Sequence, residues 1–333
     1  MSGKLSLNGK GLSVQVSNKY LRHVSKTLVN TYRQSNRKNI AQNTVTKVLI
    51  TGATGNVGME VIKSLHSIDH QLDIYAGVRN IEIDKIKLAD YKIKFTHFDF
   101  TDITSYNSAL DGCDILFLLR PPQISEVEKY FKPIIDTSAV KGVKHIVFLS
   151  VQGVEKIKII PHHKIEKLIV DSKIAYTFLR PAYFMQNFTT ILRDDLVFKK
   201  RIYLPAGKAK FTLIDVCDIG AVSANILTNI SQHVNKSYEL TCKEKLSFFE
   251  MARLLSKNLG IDIQFKSPCL ISFFHTKRKE KKPIMLIVAM IMLHYLPRFQ
   301  KEPETSYWVE KIINRQPRTF EQFINDNKNL LTE

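Results

Sequence analysis

The stretch Val48-Leu49-Ile50-Thr51-Gly52-Ala53-Thr54-Gly55-Asn56-Val57-Gly58 joins a short apolar run to three glycines spaced three apart. An unbroken apolar triplet ending at a glycine-rich turn suits a strand buried on both faces. Beyond it, Val57, Val61, Ile62 and Leu65 recur at helical spacing and form one apolar face. The glycines therefore fall between a predicted strand and a predicted helix. That placement allows a tight turn and a close approach of backbone to a diphosphate. The helix start adds free N–H groups and partial positive charge. Gly52, Thr54, Gly55, Asn56, Val57 and Gly58 are thus read as the cradle of a dinucleotide.

Outward from this loop, strand and helix alternate. Leu72–Val78, Ile93–Phe98, Asp114–Leu119, His145–Ser150 and Tyr176–Leu179 read as further strands. Helices are expected over Ile81–Ala89, after a capping-box pattern at Ser125-x-x-Glu128, and from about His162 to Lys173. The connections suit only crossover packing, so the fold class is α/β, a doubly wound parallel sheet of Rossmann type. Past Pro181 the alternation loosens. Helices capped by Ser247-x-x-Glu250 and Thr319-x-x-Gln322, with a strand at Ile261–Phe265, suggest a smaller C-terminal α/β substrate lobe. The expected division is a basic, flexible arm over 1–46, a nucleotide domain over 47–200 and the small lobe over 201–333. The chain is expected to cross between the last two.

A doubly wound sheet binds ligands outside the carboxyl ends of its strands. Gly52, Arg79, Asp99, Leu119 and Ser150 all stand at or just past such ends. NAD sites usually carry an acid at the end of the second strand to accept bonds from the ribose 2′-OH. Here Arg79, followed by Asn80, takes that place. A guanidinium pairs well with a 2′-phosphate, which favours NADP(H), with NAD(H) second.

The formal charge of +18 is concentrated. Residues 1–46 hold eight Lys or Arg and no acid, and Phe273–Lys282 holds five basic residues against Glu280. Charge blocks of this kind are usually solvated arms or loops rather than a groove-reading face, so nucleic acid is not an expected partner. The partner is a small-molecule substrate, to a monomer or homodimer. Cys113, Cys217, Cys242 and Cys269 are scattered, without metal-ligand or disulfide spacing, which fits a reducing cytoplasm. No long apolar run opens the chain, so a secretory leader is not expected. The apolar run Ile284–Leu296 is short of the ~20 residues needed to cross a bilayer, and reads as a buried helix or pocket wall. Its basic preface Lys277-Arg278-Lys279 leaves shallow peripheral membrane contact as the minor alternative.

The loop Thr51–Gly58 resembles the opening of the NmrA-like group of atypical short-chain dehydrogenases. Val78-Arg79-Asn80, Leu118–Pro122, Thr177–Pro181 running into Phe184–Asn187, and the tail Arg315-Gln316-Pro317-Arg318-Thr319-Phe320 support the same group. The resemblance runs from about Lys47 to Asn329. It implies an NADP-binding domain with a small substrate lobe, in proteins that are quinone- or carbonyl-reducing enzymes or cofactor-sensing regulators. By position, Gly52, Thr54, Gly55, Asn56 and Val57 would hold the pyrophosphate, Arg79 the 2′-phosphate, and Asp99 would lie near the adenine. Leu119 and Arg120 would flank the nicotinamide ribose, and Pro181, Ala182 and Phe184 would line the nicotinamide end.

Short-chain dehydrogenases generally pair a Ser with Tyr-x-x-x-Lys. Ser150 stands where that Ser would be, but the Tyr–Lys pair is missing. The corresponding helix offers His162-His163-Lys164-Ile165-Glu166 instead, with His162 and Glu166 one turn apart and able to meet. His162 is the candidate proton donor or ribose ligand, Glu166 its orienting partner and Ser150 a relay or substrate-binding hydroxyl, each against a plain structural role. Tyr183, Phe184, Met185 and Phe188 could stack on a flat substrate or simply pack a core. Without the Tyr, a quinone or other conjugated acceptor is the expected substrate, because its reduced form is a weakly basic phenolate. The leading expectation is an NADPH-dependent reductase acting by hydride transfer. The alternative is a non-catalytic NADP(H)-sensing regulator.

Overall fold

The computed structural model describes residues 45–333. The basic arm expected over 1–46 thus lies outside the described residues except for its last two positions.

In chain order the strands are β1 Thr46–Ile50, β2 Leu72–Val78, β3 Lys94–His97, β4 Ile115–Leu119, β5 His145–Leu149, β6 Ala175–Pro181, β7 Tyr183–Phe184, β8 Arg201–Tyr203, β9 Lys210–Ile214, β10 Lys236–Leu240, β11 Lys245–Ser247 and β12 Gln264–Lys266. The helices are α1 Asn56–His66, α2 Ile81–Lys87, α3 Ser105–Ala109, α4 Lys132–Val140, α5 Pro161–Asp171, α6 Arg193–Lys199, α7 Val216–Thr228, α8 Phe248–Leu259, α9 Leu270–Lys279, α10 Ile284–Tyr295, α11 Trp308–Ile313, α12 Phe320–Asp326 and α13 Lys328–Thr332.

Seven parallel strands form one sheet in the order β10-β6-β5-β4-β1-β2-β3. Its apolar runs build one core with a layer on each face, because side chains alternate across the sheet. Val48 and Ile50 face the layer covered by α1 and α7, whereas Leu49, Leu116 and Phe148 face the layer covered by α3, α4 and α5. The order reverses between β1 and β4, which puts the crevice at the carboxyl ends of those two strands. The seventh strand, β10, and its crossover helix α7 come from the part of the chain expected in the small lobe. They complete the large sheet instead, and α11 packs there as well.

The second core gathers Tyr183, Met185, Phe188, Phe248, Phe273 and Phe320 among others. Two small sheets, β11-β9-β7 and β12-β8, belong to this region. The capping boxes at Ser247/Glu250 and Thr319/Gln322 are both formed. The one expected at Ser125/Glu128 is not. Val127–Phe131 is a π-helical turn without a side-chain cap, and the regular helix starts at Lys132 with Pro133 in its first turn. The basic segment Phe273–Lys282, read as a loop, is mostly helix α9. Its Lys277 is buried against Asp195, with Glu280 at 2.8 Å.

Candidate active site

The glycine loop works by exclusion of side chains. Gly52 has φ +60°, and a Cβ there would lie 2.6 Å from Cδ1 of Leu119. A Cβ on Gly58 would lie 2.3 Å from the Gly52 carbonyl oxygen and 2.8 Å from Cα of Ala53. Both distances are below any real contact, so helix α1 can start this close to the strand only with glycine at 58. Gly55 is the N-cap and has no side chain to cap the helix, and its N–H donates back to the Gly52 carbonyl at 2.9 Å. The first-turn amides of α1 have no intrahelical partner, and they lie beside exposed Asn56, half-buried Thr54 and buried Val57.

Thr51 fixes this loop to the neighbouring strand. Its hydroxyl donates to the Phe117 carbonyl at 3.0 Å and accepts from Leu119 N–H at 3.1 Å. The tip of β4, and Leu119 over the glycine, is thereby held against the tip of β1. Sequence reasoning gave Thr51 no role beyond membership of the motif. The clue was a hydroxyl in an otherwise apolar strand end, which must find partners when buried.

Along the same edge, Arg79 is exposed directly after β2, and Asn80 caps α2 by accepting from Ile83 N–H at 3.1 Å. Asp99 spends one carboxylate oxygen on its own turn, accepting from the N–H and hydroxyl of Thr101, both at 2.8 Å. Ser150 is buried just after β5, and its hydroxyl has no hydrogen-bond partner among the described residues. Pro181 and Ala182 are buried at the end of β6, and Phe184 is half-buried against the sheet core.

The catalytic constellation expected on α5 is rearranged. Glu166 does not meet His162. It accepts two bonds from Arg180, at 3.1 Å from Nε and 2.8 Å from Nη2, and is buried by them. Glu155 adds a third contact to Arg180 at 3.3 Å. A bidentate guanidinium outcompetes a neutral imidazole for a carboxylate. His162 meets Arg120 instead, whose Nε–H donates to His162 Nε2 at 3.3 Å. The rest of that guanidinium donates to the carbonyls of Pro121, Pro122 and Ile124 at 3.1, 3.3 and 2.6 Å. Arg120 therefore locks the β4 loop. Burial, and then the Arg120 charge, push the His162 pKa down to about 3. Near neutrality the ring is uncharged with its proton on Nδ1, so it is not an imidazolium acid.

The aromatic residues after Pro181 also divide. Tyr183, Met185 and Phe188 are buried in the second core and not free to stack on a substrate; only Phe184 keeps exposed surface. Tyr183 donates its hydroxyl to His294 Nε2 at 3.1 Å, and His294 Nδ1–H donates to the Met290 carbonyl at 2.6 Å. Burial raises the Tyr183 phenol above its usual range and lowers His294 to about 4.

The tail motif has a mechanical explanation. Arg318 Nε donates to Asp215 at 2.8 Å and its backbone N–H to Asp218 at 2.7 Å, while Arg315 pairs with Asp218 at 2.7 Å. Asp215 caps α7 through Cys217 N–H and accepts from Gln186 Nε2 at 2.7 Å. Gln186 Oε1 in turn accepts from Val216 N–H at 3.0 Å. The segments Phe184–Asn187 and Arg315–Thr319 thus meet at one helix start, where the two cores join.

Over residues 44–319 the chain matches the NmrA-like family. The curated prestalk A differentiation protein A of Dictyostelium discoideum is 29% identical over 289 residues, covering 84% of this chain and 91% of that protein. Triphenylmethane reductase of Citrobacter sp. has the same fold, with a TM-score of 0.75 at 22% identity, covering 85% of this chain and 99% of that one. So has the NADPH-dependent quinone oxidoreductase of Escherichia coli solved in complex with NADPH. Its TM-score is 0.74 at 23% identity, covering 84% of this chain and 99% of the other. The family match spans the glycine loop, all seven parallel strands and the tail clamp, and the chain belongs to the NmrA-like family.

Proposed function

We propose that this protein binds NADPH along the carboxyl edge of its sheet and reduces a quinone or a related conjugated carbonyl compound. The observation that carries the reading is the side-chain-free cradle at Gly52 and Gly58, with an exposed guanidinium at Arg79 and no acid at the end of β2. First-turn amides of α1 would hold the diphosphate. Arg79 would take the 2′-phosphate. Leu119 and the Arg120-locked loop would bound the ribose on the nicotinamide side. The unpartnered Ser150 hydroxyl, buried at the same edge, fits a polar group of cofactor or substrate. NADPH supplies the hydride.

The substrate class is supported by the engagement of both candidate groups on α5. Glu166 is committed to Arg180, and His162 is neutral and accepts from Arg120. Simple ketone reduction needs a proton donor for a strongly basic alkoxide. A quinone accepts hydride to give a stabilised phenolate that water can protonate, which suits this arrangement. The same lack of an acid supports a second reading, an NADP(H) sensor that binds without turnover.

Following nicotinamide absorbance with NADPH and a panel of quinones separates the two. Turnover above background is expected, whereas tight binding without turnover across the panel favours the sensor. Arg79→Asp should weaken NADPH by roughly 10- to 100-fold, the worth of a charge-assisted contact, and change NADH little. Equal weakening of both coenzymes would remove Arg79 from the assignment.

A further inference from the structure

Helix α10 is apolar on every side, yet only one side is covered. Ile287, Met290 and His294 face the second core, and His294 ties the helix to Tyr183. The opposite side carries Met285, Val288, Met292 and Leu293, continued by Leu296 and Phe299, all exposed. Met285 stands 73% and Phe299 70% open to solvent. Their spacing makes one stripe along the helix. A contiguous apolar stripe on an otherwise folded surface marks an interaction site.

The charges around it identify the partner. From Lys281 to Lys301 there is no Asp or Glu. Arg278, Lys279 and Lys281 are exposed at the amino end of the helix, and Arg298 is exposed at the carboxyl end, over the rings of Tyr295 and Phe299. Of the acids at the amino end, Glu280 is taken by Lys199 and Lys277, and Asp194 by Lys282. Two copies meeting face to face through this stripe would oppose cation to cation in either orientation of the helices, so a self-complementary dimer is disfavoured. An apolar stripe with basic ends fits an anionic lipid surface, with the side chains entering the headgroup boundary. The helix is too short to cross a bilayer, and among the described residues none is long and apolar enough to do so.

We propose that the outer face of α10 docks this protein peripherally on anionic membranes. The basic sequence over 1–46, here called the arm, adds attraction of the same sign through its charge, so the test must isolate the face. Full-length protein would be sedimented with vesicles of phosphatidylcholine alone and of phosphatidylcholine with phosphatidylserine. Binding is expected to be tighter to the mixed vesicles by roughly tenfold or more and to weaken as salt is raised. The triple variant Met285→Gln/Val288→Gln/Met292→Gln leaves charge and arm unchanged and should lose most of this binding while its circular dichroism melt is preserved. Equal binding by the variant assigns the effect to the arm and overturns the proposal. So does no vesicle binding by the parent, or a dimer in light scattering that the triple variant converts to monomer.

Discussion

Ser150 is a sharp probe at the scale of one residue, because its hydroxyl is buried and unpartnered among the described residues. A buried polar atom without a partner costs stability, so removing it should be neutral or mildly stabilising to the fold. If the hydroxyl serves cofactor or substrate, Ser150→Ala will weaken NADPH binding or turnover by roughly fivefold or more, the worth of one hydrogen bond. Urea unfolding alongside NADPH titration and quinone turnover reads both effects. Unchanged affinity and turnover would remove Ser150 from the site. At this scale the sequence was informative wherever a residue acts through its own backbone. Gly52 and Gly58 were recognisable because glycine alone fits their place. The partners of His162 and Glu166 were not recognisable. One helical turn on α5 suggests that the two meet each other, but Arg120 and Arg180 arrive from the ends of β4 and β6, 42 and 14 residues away from their partners. Spacing within a helix carries no information about guanidinium groups on neighbouring strands.

The elements that position the cofactor loop are α1 and α7, packed unusually closely. A Cβ on Gly220 would lie 2.5 Å from the Glu60 carbonyl oxygen and 2.7 Å from its carbonyl carbon, so backbone meets backbone at this crossing. Gly220→Val should push the helices apart and cost about 1–3 kcal/mol, as overpacking typically does. Because α1 begins at the phosphate loop, NADPH affinity should fall with it. A differential scanning fluorimetry shift with and without NADPH measures both. A variant as stable as the parent would deny the close packing. The helices themselves were readable from capping boxes at Ser247 and Thr319, since each satisfies its own helix start locally. Ser125 carried the same signal and failed, because the chain enters α4 through a π-helical turn with Glu126 at its start. Strand β10 was unreadable for another reason. It is five residues with a half-polar pattern, Lys236-Ser237-Tyr238-Glu239-Leu240, and its place beside β6 is decided by α7 rather than by its own residues.

Across the whole molecule, buried histidines are held in their neutral form by burial, and this makes stability depend on pH. His145 and His294 are buried, one against Thr177 at 2.8 Å and the other against Tyr183 at 3.1 Å, and burial lowers both pKa values to about 4. In the unfolded chain each would take up a proton near pH 6.5. Between about pH 6.5 and 4 the unfolded state therefore binds more protons than the folded state, and stability is lost as pH falls through that window. Asp218 and Glu244, with carboxyls raised by burial, act in the opposite sense, so the informative quantity is a difference between variants. His294→Phe should be less stable at pH 7.5, having lost its bonds to Tyr183 and Met290. Its stability should then fall less steeply from pH 6.5 to 5, by up to one proton, or about 1.4 kcal/mol per pH unit. Urea unfolding of parent and variant at half-unit steps gives the two slopes. Parallel slopes would mean that His294 is protonated in the folded protein, and the proposed donation from Tyr183 to its Nε2 would have to be abandoned.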